Sequence, residues 1–292
     1  MSTEAKLHID HVTKTFQARG AGQSLVAVQD VNLEIQDGEF LVIVGPSGCG
    51  KSTLLDILSG LTLPSSGEVL IDGKPITGPG PDRGIVFQQY ALLPWRTAAE
   101  NLEFGLEATG VAKTERRERA LEHLELVGLA DFADSYPHQL SGGMKQRVAI
   151  ARSLATDPEL LIMDEPFGAL DALTRDALQT QLRAIWKRTG KTIVFVTHGI
   201  DEAVYLGQRV AVMSARPGRI KALVDIPAWD DAEAAEVRAD PEFGRSSQVV
   251  WEQLRDEIAT SQGFSATRPE PGRAGARRVG RTRELEEAGS VA

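Results

Sequence analysis

The sequence has almost no cysteine: one residue, Cys49, in 292. A lone thiol excludes an internal disulfide framework and fits a reducing compartment. The sequence also lacks any apolar run near the roughly 20 residues that cross a bilayer as a helix. The longest runs, Phe40–Val44 and Leu160–Met163, are strand-sized. The first ten residues carry Glu4, Lys6 and Asp10 with no apolar core, so they do not read as a secretory signal. Positive charge is in deficit, with 32 Lys and Arg against 41 Asp and Glu and a formal charge of -9. That balance argues against general nucleic-acid binding, which draws affinity from cations that neutralise phosphates. Internal repeats are missing as well. The remainder, 42% hydrophobic and 25% charged, is ordinary for a globular chain. It is expected in the cytoplasm, reaching a membrane only through a partner.

Periodicity gives the order of elements. Leu7–Phe16 and Val28–Ile35 alternate as half-buried strands, separated by a Gly20-Ala21-Gly22 loop. Phe40–Val44 and Leu160–Asp164 are continuous apolar runs of the kind buried on both faces. Gly67–Ile71, Gly84–Phe87, Thr192–Val196, Arg209–Met213 and Arg219–Val224 read as further strands, the last two joined by a Pro217-Gly218 turn. Between Thr97 and Ala155 strand patterns vanish, and Ala98–Thr109, Thr114–Val127 and Gly143–Ala155 take helical spacing. Lys51–Ser59, Ala172–Arg188, Asp201–Leu206 and Val249–Ile258 are the other expected helices. The chain is therefore α/β with a mostly parallel sheet and a helical insert. From Ser265 onward six Arg and four Glu stand among almost no large apolar residues, a composition that cannot bury enough surface to order itself.

Three motifs carry chemistry. Gly45-Pro46-Ser47-Gly48-Cys49-Gly50-Lys51-Ser52 matches the phosphate-binding loop pattern after a buried strand and before a helix. Its backbone N–H groups and the helix N-terminus suit phosphate. Lys51 reaches the β- and γ-phosphates of a nucleotide, and Ser52 offers a hydroxyl to Mg²⁺. Cys49, just before the helix, is expected to have a depressed thiol pKa and to react with maleimides unless nucleotide protects it. Leu160–Glu165 is a buried strand ending in two acids. Asp164 is placed to bind Mg²⁺ through water, and Glu165 to orient and polarise the attacking water, which suits a reaction that is mostly positioning and charge stabilisation. Leu140-Ser141-Gly142-Gly143-Met144 opens a helix with exposed N–H donors and a hydroxyl. That is either a second anion site or a plain helix cap.

The order of these motifs resembles the ATP-binding cassette (ABC) ATPases, whose signature is LSGGQ or a near variant. Here Met144 replaces the usual Gln. The resemblance runs from about Leu7 to Asp225. It implies a P-loop NTPase fold with an antiparallel β subdomain and a helical subdomain. The ATPase domain would span residues 1–226 with the helical insert at about 89–156, followed by a helical extension at 227–264 and a disordered tail at 265–292. It implies that Phe16 stacks on adenine, where a plain buried aromatic would look the same. ATP contacts would run through Thr53, and Gln88 would join Ser52 and Asp164 at Mg²⁺. Ala169-Leu170-Asp171 would form the D-loop, and His198 would be the switch histidine rather than a structural one. Gly199 stands where the family often has Asp.

Three further stretches, 90–96, 165–175 and 214–220, look like the ATPases of nitrate/sulfonate/taurine-type importers. In that family Tyr90, Leu92, Leu93 and Trp95 would receive a membrane permease, or else belong to the local core. The resemblance implies a head-to-tail dimer with Ser141, Gly142, Gly143 and Met144 acting in trans. It also implies permease partners, an indirect solute-binding protein, no nucleic acid, and a place on the cytoplasmic face of the inner membrane. The alternatives are a non-transport ABC ATPase acting on nucleic acid or ribosomes and an unrelated P-loop kinase. The long coiled-coil insertion and the doubled cassette of the non-transport types are both absent, and a kinase would lack the Ser-Gly-Gly signature.

Overall fold

The computed structural model describes residues 5–17, 24–229 and 234–261. Strands β1 (Leu7–Gln17) and β2 (Ser24–Ile35) alternate between buried and exposed positions, while β3 (Phe40–Val44) is buried throughout. Helix α1 (Lys51–Leu58) follows, then β4 (Ser66–Ile71), the two-residue β5 (Lys74–Pro75) and β6 (Arg83–Val86). Next come α2 (Ala98–Ala108), α3 (Lys113–Leu126) and α4 (Gly142–Ala155). The chain returns through β7 (Leu160–Asp164), α5 (Ala172–Thr189), β8 (Thr192–Thr197), α6 (Ile200–Leu206), β9 (Arg209–Met213) and β10 (Ile220–Asp225). Helices α7 (Ala234–Ala239) and α8 (Pro241–Ser261) close the described chain.

Two sheets result. One is antiparallel, in the order β2-β1-β4-β5; the other has the order β10-β9-β3-β8-β7-β6 and is parallel except for the β9–β10 pair. Because side chains alternate along a strand, β3 serves two cores. Leu41 and Ile43 pack with α1 and the antiparallel sheet, whereas Phe40, Val42 and Val44 face the helices beyond. Each such buried side chain contributes roughly 1.5–3 kcal/mol.

Register decides where the site forms. Val44 pairs with Thr197 on one side and with Val212 on the other, and Asp164 pairs with Val196. The C-terminal ends of β3, β7, β8 and β9 therefore lie side by side. Crevices outside such strand ends are where open α/β sheets bind ligands.

Local chemistry starts and stops the helices. Thr97 and Glu100 form a capping box on α2, with reciprocal bonds of 3.3 and 2.8 Å. Asp171 caps α5 by accepting from Thr174 N at 3.0 Å, and Gly190 ends that helix at φ +62. Helix α8 is longer than its sequence pattern suggested. Pro241 opens it at a position that needs no N–H, and Phe243, Ser246, Val250 and Leu254 are buried along one side. The Gly20–Gly22 loop and the 265–292 tail lie outside the described residues.

Candidate functional site

The phosphate loop is shaped by two left-handed glycines, Gly48 at φ +74 and Gly50 at φ +112. A Cβ at Gly50 would lie 2.7 Å from the Ala27 carbonyl, so the loop tolerates no side chain there. Gly50 also leaves α1 without a side-chain cap, so its first N–H groups remain free of a competing hydroxyl or carboxylate. Lys51 is 7% exposed and donates to the carbonyls of Gly45 at 2.9 Å and Pro46 at 3.2 Å. A 260 Å³ cleft is lined by Ser47, Gly48, Gly50, Lys51, Ser52 and Thr53, together with Ala27, Glu165 and Arg216. Cys49 departs from expectation. It is buried, and burial pushes its thiol pKa up, against the opposing fields of Lys51 and Arg216. Desolvation of the charged form outweighs the favourable charges and the nearby helix N-terminus.

The acids sit at the end of β7. Asp164 is partly buried, and burial raises its pKa above the ordinary carboxylate value, with Glu165 adding to the rise and a Ser52 hydrogen bond opposing it. Glu165 has φ +43, a left-handed conformation that costs a residue with a side chain about 1–3 kcal/mol. Its N–H donates to Val196 O at 3.0 Å, which pins the strained residue to β8. Its Oε2 is 3.2 Å from Nδ1 of His198, whose side chain is 67% exposed. Glu165 lines two cavities: the phosphate-loop cleft and a 610 Å³ cleft that also takes in His198, Gly199, Arg175 and Arg238.

Behind His198 lies a polar chain that no local motif reveals. Thr197 Oγ1 bonds Glu202 and accepts from Gly199 N. Glu202 accepts from Gln179 at 2.8 Å, and burial pushes its pKa up. Arg238 of α7 then grips Asp176 through two 2.9 Å bonds and Gln179 at 3.0 Å. Gly199 suits this setting. A Cβ there would lie 3.9 Å from a Glu202 carboxylate oxygen, so glycine avoids setting a second acid beside a buried one.

The remaining expected residues fall elsewhere. Phe16 is 44% exposed on β1 with the Lys14 ammonium 5.3 Å from its ring centre, and it lines neither cleft. Gln88 is exposed two residues past β6, whose neighbour in the sheet is β7. Ser141 caps α4 by accepting from Met144 N at 3.3 Å and is exposed. Ser141, Gly142, Gly143 and Met144 line neither cleft. A Cβ at Gly142 would meet Tyr90 Oη at 3.1 Å and Leu170 at 3.4 Å; one at Gly143 would meet Thr174 Cγ2 at 2.7 Å. The two glycines thus let Tyr90, the Ala169–Asp171 turn and α5 close on the start of α4.

Arg175 holds that turn through the carbonyls of Phe167 at 3.3 Å and Leu170 at 2.8 Å. Two anchors, one fully buried and one half-buried, shape the 88–97 loop. Asn101 is 0% exposed and bonds Leu93, Arg96 and Thr97, while Arg152 donates to Ala91 O at 2.6 Å and Tyr90 O at 3.3 Å. They leave Trp95 70% exposed and Leu92 packed on the core.

Residues 28–168 match the model of the ABC transporter family. An uncharacterized ABC transporter ATP-binding protein, MJ0412, of Methanocaldococcus jannaschii is 52% identical, over 88% of this chain and 94% of its own length. The taurine import ATP-binding protein TauB of Rhizobium johnstonii is 46% identical over 86% of this chain and 94% of its own. The nitrate import ATP-binding protein NrtD of Synechocystis sp. is 47% identical over 85% and 95%. Among solved structures, a post-hydrolysis dimer of the ATP-binding cassette MJ0796 bound to ADP and Pi has a TM-score of 0.66 and 38% identity. That match covers 76% of this chain and all of the other.

Proposed function

The chain belongs to the ABC transporter ATP-binding family, and from that premise we propose that it is the ATP-hydrolysing subunit of an importer for a small solute such as nitrate, a sulfonate or taurine. Relatives named for taurine and nitrate import support the importer reading. Among the described residues no helix is long and apolar enough to cross a membrane. As an importer subunit the chain would sit on the cytoplasmic face of the inner membrane, held by permease subunits that receive cargo from a solute-binding protein. Trp95 and its neighbours are the candidate surface for the permease.

Lys51 would leave its two loop carbonyls for the β- and γ-phosphates. Glu165 would act as base toward the water that attacks the γ-phosphorus, with His198 hydrogen-bonded to it and close to the same phosphate. Ser52 and Asp164 lie beside the loop, near enough for the Ser52 hydroxyl to oppose the rise in the Asp164 pKa. Together with the Gln88 amide they are hard oxygen donors of the kind Mg²⁺ prefers. Nucleotide oxygens would complete the shell. A bound Mg²⁺ would neutralise phosphate charge; orientation and proton transfer fall to the side chains.

Phe16 would stack on adenine, and Ser141, Gly142, Gly143 and Met144 would reach the nucleotide of a second copy. Ala169, Leu170 and Asp171 would face that copy as the D-loop. The observation that carries the reading is Glu165, strained, tied to His198 and shared by both clefts. Glu165→Gln keeps the shape and loses the base. It is expected to retain ATP affinity while turnover falls by about 10²–10⁴-fold. Calorimetric binding and phosphate release measure the two quantities. Turnover at the parent rate would sink the assignment.

A further inference from the structure

The turn between β9 and β10 comes to lie on the phosphate loop, although some 165 residues separate them in sequence. Val44 pairs with Val212, so the two strands end together. Gly218 N donates to Ala27 O at 3.0 Å, and Gly218 O accepts from Gln29 N at 2.8 Å. A Cβ on Gly218 would fall 2.2 Å from Cys49 O, which shows how closely the turn approaches. Ala215 N donates to Glu257 of α8 at 2.8 Å, so the turn is fastened from the far side as well. Between these fastenings stands Arg216. Its Nε donates to Gly48 O at 3.1 Å, and its side chain joins the lining of the phosphate-loop cleft.

A guanidinium has five N–H donors, and the Gly48 bond uses one. The cleft lining then holds two cations, Lys51 and Arg216, against one acid, Glu165. We propose that Arg216 is a nucleotide-binding residue, a second cation that contacts the phosphates of the bound nucleoside triphosphate from the rim of the loop. This rests on the reading of the cleft as an ATP site. The field of Arg216 also reaches the loop at Cys49, where it opposes the rise in thiol pKa. Because Arg216 is exposed, its contribution should be moderate and screened by salt.

The test is ATP affinity of the full chain by calorimetry, for the parent, Arg216→Lys and Arg216→Gln, between 50 and 500 mM KCl. Lys and Gln can both donate to Gly48 O, so the loop contact survives in each; only Lys keeps the charge. We expect Arg216→Gln to bind ATP about 5–10-fold more weakly at low salt, with Arg216→Lys within about 3-fold of the parent. The Gln deficit should shrink at high salt, and unfolding midpoints should stay level because the side chain is exposed. Parent-like affinity for Arg216→Gln overturns the proposal. Equal weakening of Lys and Gln also overturns it, since that would mark a structural role of the Arg216–Gly48 bond. A parent that binds no ATP removes the nucleotide reading itself, a failure visible before any variant is compared.

Discussion

The chain opens α1 and α4 in different ways, though both helices begin in glycine-rich motifs suited to anions. At α1 the helix start is uncapped, Lys51 is buried against it, and the surrounding residues enclose a cleft. At α4 the start is already capped by Ser141, which is exposed and borders neither cleft. The glycines differ as well. Gly50 is required by backbone conformation and by Ala27, whereas Gly143 is required because Thr174 of α5 approaches it. One motif is furnished by its own chain and the other is held out on a rigid support. A helix N-terminus alone favours an anion by only about 0.3–1 kcal/mol when exposed. The α4 end would need further contacts to hold an anion firmly, and in the proposed function a second copy supplies them.

The contrast can be broken most severely at the α1 side. Lys51→Ala removes the buried cation, and a lost hydrogen bond to a charged partner should weaken ATP binding by about 10–100-fold. Equilibrium binding of the isolated chain measures this, and unchanged affinity would mean that the cleft is not a phosphate site. On the α4 side, Gly143→Ala should act on packing. Its Cβ would lie 2.7 Å from Thr174 Cγ2, and overpacking of this kind costs about 1–3 kcal/mol. Denaturant titration should show that loss, with most of it recovered in the pair Gly143→Ala, Thr174→Ser.

A smaller and oppositely signed effect is expected at Asp164. Burial raises its folded pKa above the unfolded value, so the folded state holds the proton more tightly. The ionised carboxylate then lowers stability, a penalty that grows as pH rises past about 3.9 and is complete above the folded pKa. Without nucleotide or metal, Asp164→Asn should melt above the parent at neutral pH. The difference should vanish toward acid, while metal-dependent hydrolysis is lost. An Asn variant that melts below the parent at neutral pH would contradict the burial argument.

What the sequence revealed and what it hid follow one physical line. Half-buried and fully buried strands were legible because β1 and β2 alternate and β3 and β7 are unbroken apolar runs, both local patterns, whereas the separate antiparallel sheet came only with the family resemblance. The phosphate loop was legible because its strand, glycines and helix are contiguous. Helix α8 was only half legible, since its apolar spacing shows from Val249 onward, while Phe243 and Ser246, buried along the same side, precede it. Cys49 was misjudged because a thiol pKa depends on burial, which neighbours in sequence do not report. Arg216, Asn101 and the Arg238–Gln179–Glu202–Thr197 chain were invisible for the same reason. Arg216 reaches across 168 residues to Gly48 and Arg238 across 59 to Gln179, while Asn101 acts over only four to eight residues but from a fully buried position. Gly199 stands where the family often has Asp, and only the fold shows that this position borders the Glu202 carboxylate.

In the proposed function the α4 end completes an ATP site in a second copy rather than its own. The most direct measurement is light scattering of the Glu165→Gln chain with ATP, with ADP and without nucleotide, with and without Ser141→Arg, paired with ATP affinity and with crosslinking in the assembled transporter. The expected result is an ATP-dependent dimer that Ser141→Arg abolishes while each chain still binds ATP. A Ser141→Arg protein that closes normally with ATP would contradict it.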